Sequence, residues 1–372
     1  MAKTQVNVYV GTRKGSYVVR SDAARRTWKV EGPFHEDADV YHVVADPRHP
    51  GHVYSLANSP FWGPVLYRST DGGRAWKEIK TPGLDRRSSR TPAYDGPQTL
   101  PIRNLWHLEP GPASAPKRLY VGLDPHGLYR SDDLGASWEA VEGIEKHPTR
   151  DKWNPGAGGA CLHTILIDPD RPGRMYVGIS AAGAFRSDDD GETWIPKNRN
   201  VRADFMPDKY PEVGQCAHHL ALDPADPSVV YRQDHGGIYI SEDGADRWVR
   251  VGKPLGSDFG FVVATAPALP GGAIFAPLEP MGRRMPGHRL QLQFYDRTKQ
   301  SFRPLLKPSP FVGDFGTHRE ALGTDTLDPA GIYLGTTGGD LVYTPNGGKS
   351  WGAIPFRFPG IHSVSTSVGA RA

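Results

Sequence analysis

Three histidines and one glutamate stand at corresponding places in repeated parts of the chain and could carry out metal or acid–base chemistry. They are His163, His218, His362 and Glu320. Imidazole supplies a neutral nitrogen ligand and a carboxylate lowers the net charge of a site, so the set suits Zn, Fe, Cu or Mn. Glu320 could instead act as a general base on bound water. We therefore expect a divalent metal ion at these four residues.

A second group of residues could bind a substrate beside that metal. The candidates are Arg103, Asn104, Arg319, Phe261 and Trp62. The two guanidinium groups could orient an anionic part of the substrate. His318 and Tyr41 are further candidate catalytic groups, and the phenol of Tyr41 could pair with Glu320.

Each of these residues also has a structural interpretation. A buried histidine is often a hydrogen-bonded core residue, and an arginine can form a salt bridge between neighbouring sheets. Cys161 and Cys216, two positions before His163 and His218, could be soft metal ligands or small buried apolar residues. The residue types alone leave these alternatives open.

A short motif of the form Ser-x-Asp-x-Gly-x-x-Trp indicates which elements position these residues. Residues 69–76, 131–138 and 187–194 match it fully, and residues 21–28, 241–248, 295–302 and 344–351 are degraded copies. A repeat of this length made of strands and turns is typical of a propeller. We predict an all-β, seven-bladed β-propeller with four-stranded antiparallel blades, forming one domain over residues 1–372.

The chemistry of the motif is local. Ser and Asp side chains accept hydrogen bonds from backbone amides in a tight turn, Gly takes the left-handed conformation, and Trp opens the next strand. These residues resemble the Asp-box, or BNR, repeat of the sialidase and sortilin-like propellers, and the resemblance covers nearly the whole chain. In that superfamily the box braces a hairpin and does not touch substrate, so the resemblance implies the fold more than the function.

The ring should close with strands from both ends of the chain. The first blade has only three recognisable strands, at residues 7–11, 16–20 and 27–30. We expect its innermost strand to come from residues of about 360–368, which removes the open sheet edge.

The candidate site residues lie on the innermost strands, aligned on an Asp-Pro turn or its counterpart, Glu109-Pro110 in the third blade. The residue three positions before that turn is apolar in every innermost strand. The residue two positions earlier lies on the same face of the strand, and we expect its side chain to point at the axis. That position holds Tyr41, Asn104, His163, His218, Phe261, Glu320 and His362. Long loops gather at the same end, at residues 58–64, 80–100, 142–160, 196–214 and 277–289, which predicts a walled pocket there.

Bulk composition excludes several function classes. The net charge of +3 does not indicate binding to nucleic acid or a membrane surface, and two cysteines do not make a disulfide framework. The first residues lack the apolar core of a signal peptide, and no stretch is long and apolar enough to span a bilayer. We expect a cytoplasmic protein with a small-molecule substrate, and the oligomeric state stays open.

Three functions follow from these observations. The first is an intracellular metal-dependent enzyme, a hydrolase, lyase or oxygenase, acting on a small organic and possibly anionic substrate. The second is a sialidase-like glycoside hydrolase without metal. The resemblance implies three arginines on a carboxylate, a Tyr–Glu nucleophile and an Asp acid, but the Arg-Ile-Pro string of sialidases occurs only reversed, as Pro101-Ile102-Arg103. The third is a non-catalytic, protein-binding propeller similar to the photosystem II assembly factor.

Overall fold

The computed structural model describes residues 4–83, 102–153, 159–306, 313 and 315–370. Within these residues, 28 strands form seven four-stranded antiparallel sheets. The helical elements of this part are α1 (Glu142–Glu145) and the 3-10 turns Arg150–Lys152 and Pro286–His288. None of the described helices has the length and hydropathy to cross a lipid bilayer. The predicted seven-bladed propeller is confirmed.

The strands follow the chain blade by blade. The first two blades contain β1 (Thr4–Thr12), β2 (Gly15–Asp22), β3 (Lys29–Phe34), β4 (Asp39–Ala45), β5 (Val53–Ser59), β6 (Gly63–Ser69) and β7 (Lys77–Ile79). The third and fourth contain β8 (Asn104–Pro110), β9 (Leu119–Asp124), β10 (Leu128–Ser131), β11 (Glu139–Ala140), β12 (Leu162–Ile167), β13 (Met175–Ile179), β14 (Gly183–Ser187) and β15 (Ile195–Pro196).

The remaining blades continue the same order. The fifth and sixth contain β16 (Ala217–Asp223), β17 (Asp226–Asp234), β18 (Gly237–Ser241), β19 (Val249–Arg250), β20 (Gly260–Ala264), β21 (Gly272–Pro277), β22 (Leu292–Asp296) and β23 (Ser301–Leu306). The seventh contains β24 (Leu322–Thr324), β25 (Ile332–Gly335), β26 (Leu341–Thr344) and β27 (Gly352–Ala353), and the last strand is β28 (Ile361–Ala370).

Strand β28 closes the ring. It pairs antiparallel with β1 in the first sheet, with Val10 opposite Val364 and Val6 opposite Val368. Its inner face packs with the seventh blade in a shared apolar cluster that includes Ile361. The predicted closure by the C-terminal strand is confirmed, and both ends of the chain are held in one sheet.

The predicted box turns have the expected hydrogen bonds. The hydroxyl of Ser187 accepts the amide of Gly191 at 2.8 Å and donates to Asp189 at 2.8 Å. Gly191 has φ of +93°, a conformation in which Gly carries no steric cost. The degraded fifth-blade copy keeps the bond, since the amide of Ala245 donates to Ser241 at 2.9 Å. These short turns position the outer strands and leave the opposite ends of the blades free for a site.

A β-bulge near the start of the innermost strands changes which side chains face the axis. The pairing of β4 with β5 skips Tyr41, and the pairing of β8 with β9 skips Trp106. The same register shift occurs in β12, β16 and β28, at His163, His218 and His362. A bulge places two residues opposite one and redirects a side chain. Consequently both the bulged residue and the one after it can face the interior.

The bulges correct the predicted alignment of the third blade. Asp46 and Asp168 each stand five residues after the bulged residue, and their amides close a turn by donating to the carbonyl of the residue just before the next strand. Gly111 makes the equivalent bond to Arg118, so Gly111 and not Glu109 is the counterpart. The third-blade residue at the axial position is therefore Trp106, and the prediction of Asn104 there is wrong.

Candidate functional site

A cavity of about 570 Å³ opens at one end of the propeller axis. Its walls come from the starts of innermost strands and from the turns between second and third strands. Phe205 and Arg283, from the loops 196–214 and 277–289, also line it. The pocket predicted at the long-loop end is present. The stretch 84–101, which contains most of the predicted 80–100 loop, lies outside the described residues.

One wall is a row of four neighbouring rings. Tyr41 lies between Trp106, at a ring centroid distance of 4.7 Å, and His362, at 5.0 Å. His318 continues the row at 4.8 Å from His362. Burial, with the nearby charge of Asp39, raises the pKa of Tyr41 to about 12, so its phenol is protonated at neutral pH. The wall therefore offers flat apolar faces with a few polar edges.

The opposite wall is also aromatic. The rings of His218 and Phe261 stack at 4.5 Å, and Phe259 packs edge-on against both. Burial and the charge of Arg319 hold the pKa of His218 well below its ordinary value, so this imidazole is neutral. A ring-bearing molecule could pack between the two walls.

Arg319 stands between these walls. Its guanidinium carbon lies 5.8 Å from the ring of Trp106 and 5.6 Å from that of Phe261. One terminal nitrogen donates to the hydroxyl of Ser180 at 3.0 Å, while the buried Nε has no hydrogen-bond partner among the described residues. Arg13 and Arg283 line the same cavity. Three guanidinium groups give the cavity a positive potential suited to an anion.

Glu320 is the carboxylate of the described cavity lining. Its side chain reaches into the centre of the ring, called the hub below, where it meets His42 and His107. One oxygen lies 2.5 Å from Nδ1 of His42 on β4, and the other lies 2.6 Å from Nδ1 of His107 on β8. All three side chains are buried. Each imidazole follows a bulged residue, Tyr41 or Trp106, which explains why neighbouring residues of one strand both face the interior.

The charges of this trio are mutually supporting. Burial alone would raise the pKa of Glu320, but the charges of His107 and His42 hold it well below its ordinary value. Burial alone would lower the pKa of His107, but the charge of Glu320 and the hydrogen bonds to Glu109 and Glu320 raise it to about 10. In the absence of another cation, an ionised carboxylate and an imidazolium therefore face each other inside the hub.

The predicted metal ligands are not brought together as one donor set. Nε2 of His163 bonds the carbonyl of Ala217 at 2.8 Å, and Nδ1 of His218 bonds that of Gly260 at 2.6 Å. His362 lines the cavity, but its Nε2 contacts Asp39 at 3.2 Å. His163 and His218 thus cross-link neighbouring blades at their bulges. Only Glu320 of the predicted set belongs to a described cluster with metal-binding spacing, and its partners are His42 and His107.

The remaining predicted residues divide between the cavity and the surface. Tyr41, Phe261, His318 and Arg319 line the cavity. Arg103 does not, because its guanidinium is mostly exposed and pairs with Asp124 at 2.9 Å. Asn104 hydrogen-bonds Asn58 at 2.6 Å, and Trp62 is exposed at the β5–β6 turn.

The two cysteines lie near Arg319 but differ in access. Cys161 is fully buried, whereas Cys216 lines the cavity. Burial raises the pKa of both thiols, so they are protonated at neutral pH and are poor nucleophiles.

The sequence holds a signal for the missed histidines. An aromatic or imidazole residue directly precedes a histidine at the bulge of three innermost strands, in Tyr41-His42, Trp106-His107 and His218-His219. Strict alternation assigns the second residue of each pair to the opposite face, whereas a bulge directs both residues inward. A residue with a ring, followed directly by a histidine and standing five residues before the turn that ends the strand, is therefore a sequence signal for side chains at the centre of the ring.

Comparison with known proteins supports the architecture. No family model matches the chain. A segment of 156 residues, 42% of this chain, is 26% identical to the oligoxyloglucan-reducing end-specific xyloglucanase of Emericella nidulans, and it corresponds to 16% of that protein.

Solved structures with the same fold include two different kinds of protein. An ancestral GH74 enzyme matches 88% of this chain and 38% of its own at 15% identity, with a TM-score of 0.55. YCF48 from Cyanidioschyzon merolae matches 88% of both chains at 11% identity, with a TM-score of 0.51. The chain thus spans well under half the length of the xyloglucanase and of the ancestral GH74 enzyme. At 11–15% identity, the likeness to the solved structures shows the fold alone.

Proposed function

We propose that this propeller is a glycoside hydrolase that acts on a small saccharide carrying an anionic group. The observation that carries the proposal is the position of Arg319 between the ring faces of Trp106 and Phe261, in a cavity that also holds an ionised carboxylate. Aromatic faces pack against the apolar faces of sugar rings, and a guanidinium binds a carboxylate or sulfate.

The size of the cavity agrees with this substrate class. A volume of about 570 Å³ falls within the range of small-ligand sites, which is roughly 300–1,000 Å³. An extended polymer would need an open cleft, whereas residues from several blades surround this cavity at the axis. The segment that is 26% identical to the xyloglucanase supports glycoside chemistry but covers only part of either chain. The proposed substrate is therefore a short, charged saccharide.

Two cavity residues support this reaction. Tyr41 presents a protonated phenol, and Glu320 presents negative charge that its histidine partners keep ionised. Positive charge develops on the sugar ring during glycosidic cleavage, so a fixed carboxylate stabilises that state. Tyr41 is the candidate general acid: its phenol would donate its proton to the leaving oxygen, while a water molecule attacks the reacting carbon and releases a proton to solvent. Arg319 would hold the anionic group so that the glycosidic oxygen stays beside Tyr41.

The test compares two substrates that differ in one charge. Purified protein is incubated with 4-nitrophenyl β-D-glucuronide and 4-nitrophenyl β-D-glucoside, and with 4-nitrophenyl conjugates of other uronic acids and of sialic acid, while released nitrophenolate is followed. We expect turnover of an anionic member that exceeds that of its neutral counterpart by about tenfold or more. Absence of turnover across the whole series refutes the proposal.

Matched variants assign the roles. Arg319→Gln should remove the preference for the anionic substrate, whereas Arg103→Gln should keep it, because Arg103 lies outside the cavity and pairs with Asp124. Tyr41→Phe removes the proton donor and should lower kcat by about 100-fold or more. Equal losses in Arg319→Gln and Arg103→Gln would contradict the assigned anion site.

A non-catalytic role is the second candidate, and one surface feature favours it. Phe61 and Trp62, at the β5–β6 turn on the same side as the cavity, are 80% and 78% exposed. Exposed aromatic residues are frequent in protein-binding sites. If no glycoside is turned over, this role predicts a partner protein that binds the unchanged chain. The double variant Phe61→Ser, Trp62→Ser should not bind that partner.

A further inference from the structure

We propose that His42, His107 and Glu320 form a binding site for a divalent transition-metal ion at the inner end of the cavity. This site shares Glu320 with the proposed glycosidase site, but it is argued from the hub cluster alone, and ion binding can be measured whether or not the protein cleaves glycosides. The donor atoms of the three residues lie within 4.8 Å of one another, and no other such cluster is present in the described part of the chain.

The donor set belongs to a known chemical class. Two imidazoles and one carboxylate form the triad that binds non-haem Fe(II) and also suits Zn(II) or Mn(II). The two imidazole Nδ1 atoms already approach the two oxygens of one carboxylate. A metal ion would replace the protons shared along these contacts, and those protons would pass to solvent.

The scaffold holds the three residues in place without help from a flexible loop. His42 lies on β4, His107 lies on β8, and Glu320 bridges to Ser363 of β28 through the backbone. The second, third and seventh blades therefore each supply one donor to the hub. Such a preformed site needs little rearrangement to bind an ion.

Polar atoms around the trio support a ligand there. Nε2 of His107 lies 3.5 Å from Glu109, the position of a carboxylate that orients a metal-bound imidazole from behind. Nε2 of His42 and Nδ1 of His219 are buried without a hydrogen-bond partner among the described residues. Buried polar atoms without partners are costly, so they mark where an ion or its bound water could lie.

The position relative to the cavity gives the ion a role. Glu320 lines the cavity while His42 and His107 lie behind it, so a bound ion would stand at the boundary between cavity and hub. There it would add positive charge next to Arg319 and polarise a water molecule or a substrate oxygen.

Metal binding is measured directly, without reference to activity. Protein stripped with EDTA and dialysed is titrated with Zn²⁺ by calorimetry, and Co²⁺ is added separately to record its visible absorption. We expect about one Zn²⁺ per chain and Co²⁺ bands typical of nitrogen and oxygen ligands. Elemental analysis after gel filtration checks the stoichiometry.

Three variants and one control locate the ion. His42→Gln and His107→Gln should abolish tight binding, and Glu109→Gln, which leaves the trio intact, should weaken it by roughly tenfold or more. The control is His163→Gln, a buried histidine of a neighbouring bulge whose nitrogens bond Ala217 and Thr164. It should bind Zn²⁺ as the unchanged protein does.

Two outcomes would overturn the site. The first is failure of the natively folded protein to bind either Zn²⁺ or Co²⁺ stoichiometrically. The second is binding that persists unchanged in both His42→Gln and His107→Gln. Circular dichroism and thermal midpoints confirm folding, and if either trio variant does not fold, the result with Glu109→Gln decides.

Discussion

Arg25 and Asp325 form a buried ion pair of 2.9 Å that joins the first blade to the seventh. Their side chains are only 3% and 0% exposed. Arg25 also donates to the carbonyl of Pro329 at 3.0 Å, and Asp325 accepts from Tyr333 at 2.9 Å. The ring is therefore held at its junction by a polar contact in addition to the β1–β28 pairing.

Replacement of Arg25 should be among the costly substitutions at this junction. Arg25→Met leaves Asp325 as a buried carboxylate without its cation, and we expect the free energy of unfolding to fall by about 3–5 kcal/mol. Urea unfolding measures the loss. The control is Lys14→Met in the same blade, because Lys14 pairs with Asp37 at the surface and should change stability by less than about 0.5 kcal/mol. A similar small effect for Arg25→Met would show that the junction does not depend on this pair.

Removal of residues 360–372 should abolish cooperative folding. The deletion takes away all of β28, exposes the edge of β1, and removes Ile361 and Val364 from the core shared with the seventh blade. Thermal unfolding followed by circular dichroism is the measurement. Deletion of residues 371–372 alone is the control, since every β1–β28 pair is kept. An unchanged thermal midpoint in the longer deletion would contradict the closure role.

The repeat made the fold predictable because its signature lies in local turn chemistry. The amide of Gly191 donates to the hydroxyl of Ser187 within a segment of five residues, so the motif can be recognised without tertiary information. The closing strand was predictable for another reason, namely that the first blade lacked an innermost strand. Both features follow from hydrogen bonds that a β-strand must make.

The site was only partly predictable because a bulge is not visible in an alternating pattern. Polarity at the axial end of the innermost strands predicts Tyr41 and Glu320, and the ability of a guanidinium to bind an anion predicts Arg319. Alternation does not place His42 and His107 among the axial residues, because it takes no account of the one extra residue in each strand. Glu320 of the seventh blade also contacts histidines of the second and third blades, more than 200 residues away in sequence. No local sequence pattern predicts contacts between residues so far apart.

The box hydroxyl should matter more than its exposed neighbours. Ser187→Ala removes the acceptor for the buried amide of Gly191 and for that of Asp189, so we expect a loss of about 1–3 kcal/mol. Thr193→Ala removes an exposed hydroxyl bonded to the same Asp189 and should cost less than about 1 kcal/mol. Denaturant midpoints of the two variants provide the comparison, and equal losses would contradict the structural importance of the buried bond.

The imidazole of His35 should make the folded protein less stable in acid. It stacks on Tyr67 at a ring distance of 4.0 Å and meets Trp76 edge-on at 4.9 Å. Burial lowers the pKa of His35 from 6.5 to about 4, so the folded state resists protonation. Above pH 6.5 the imidazole is neutral in both states. As pH falls from about 6.5 to about 4, the unfolded state takes up a proton that the folded state excludes, and stability decreases.

His35→Asn should reduce this dependence on pH. Asn does not titrate and tolerates the positive φ of 56° at this position, although it loses the ring contacts at every pH. We therefore compare changes between pH 7 and pH 5 rather than absolute stabilities. The unchanged protein should lose up to about 2 kcal/mol more than the variant over this interval. Urea unfolding at both pH values measures the difference, and parallel losses in the two proteins would assign the acid sensitivity to other groups, such as His126, whose pKa burial lowers to about 3.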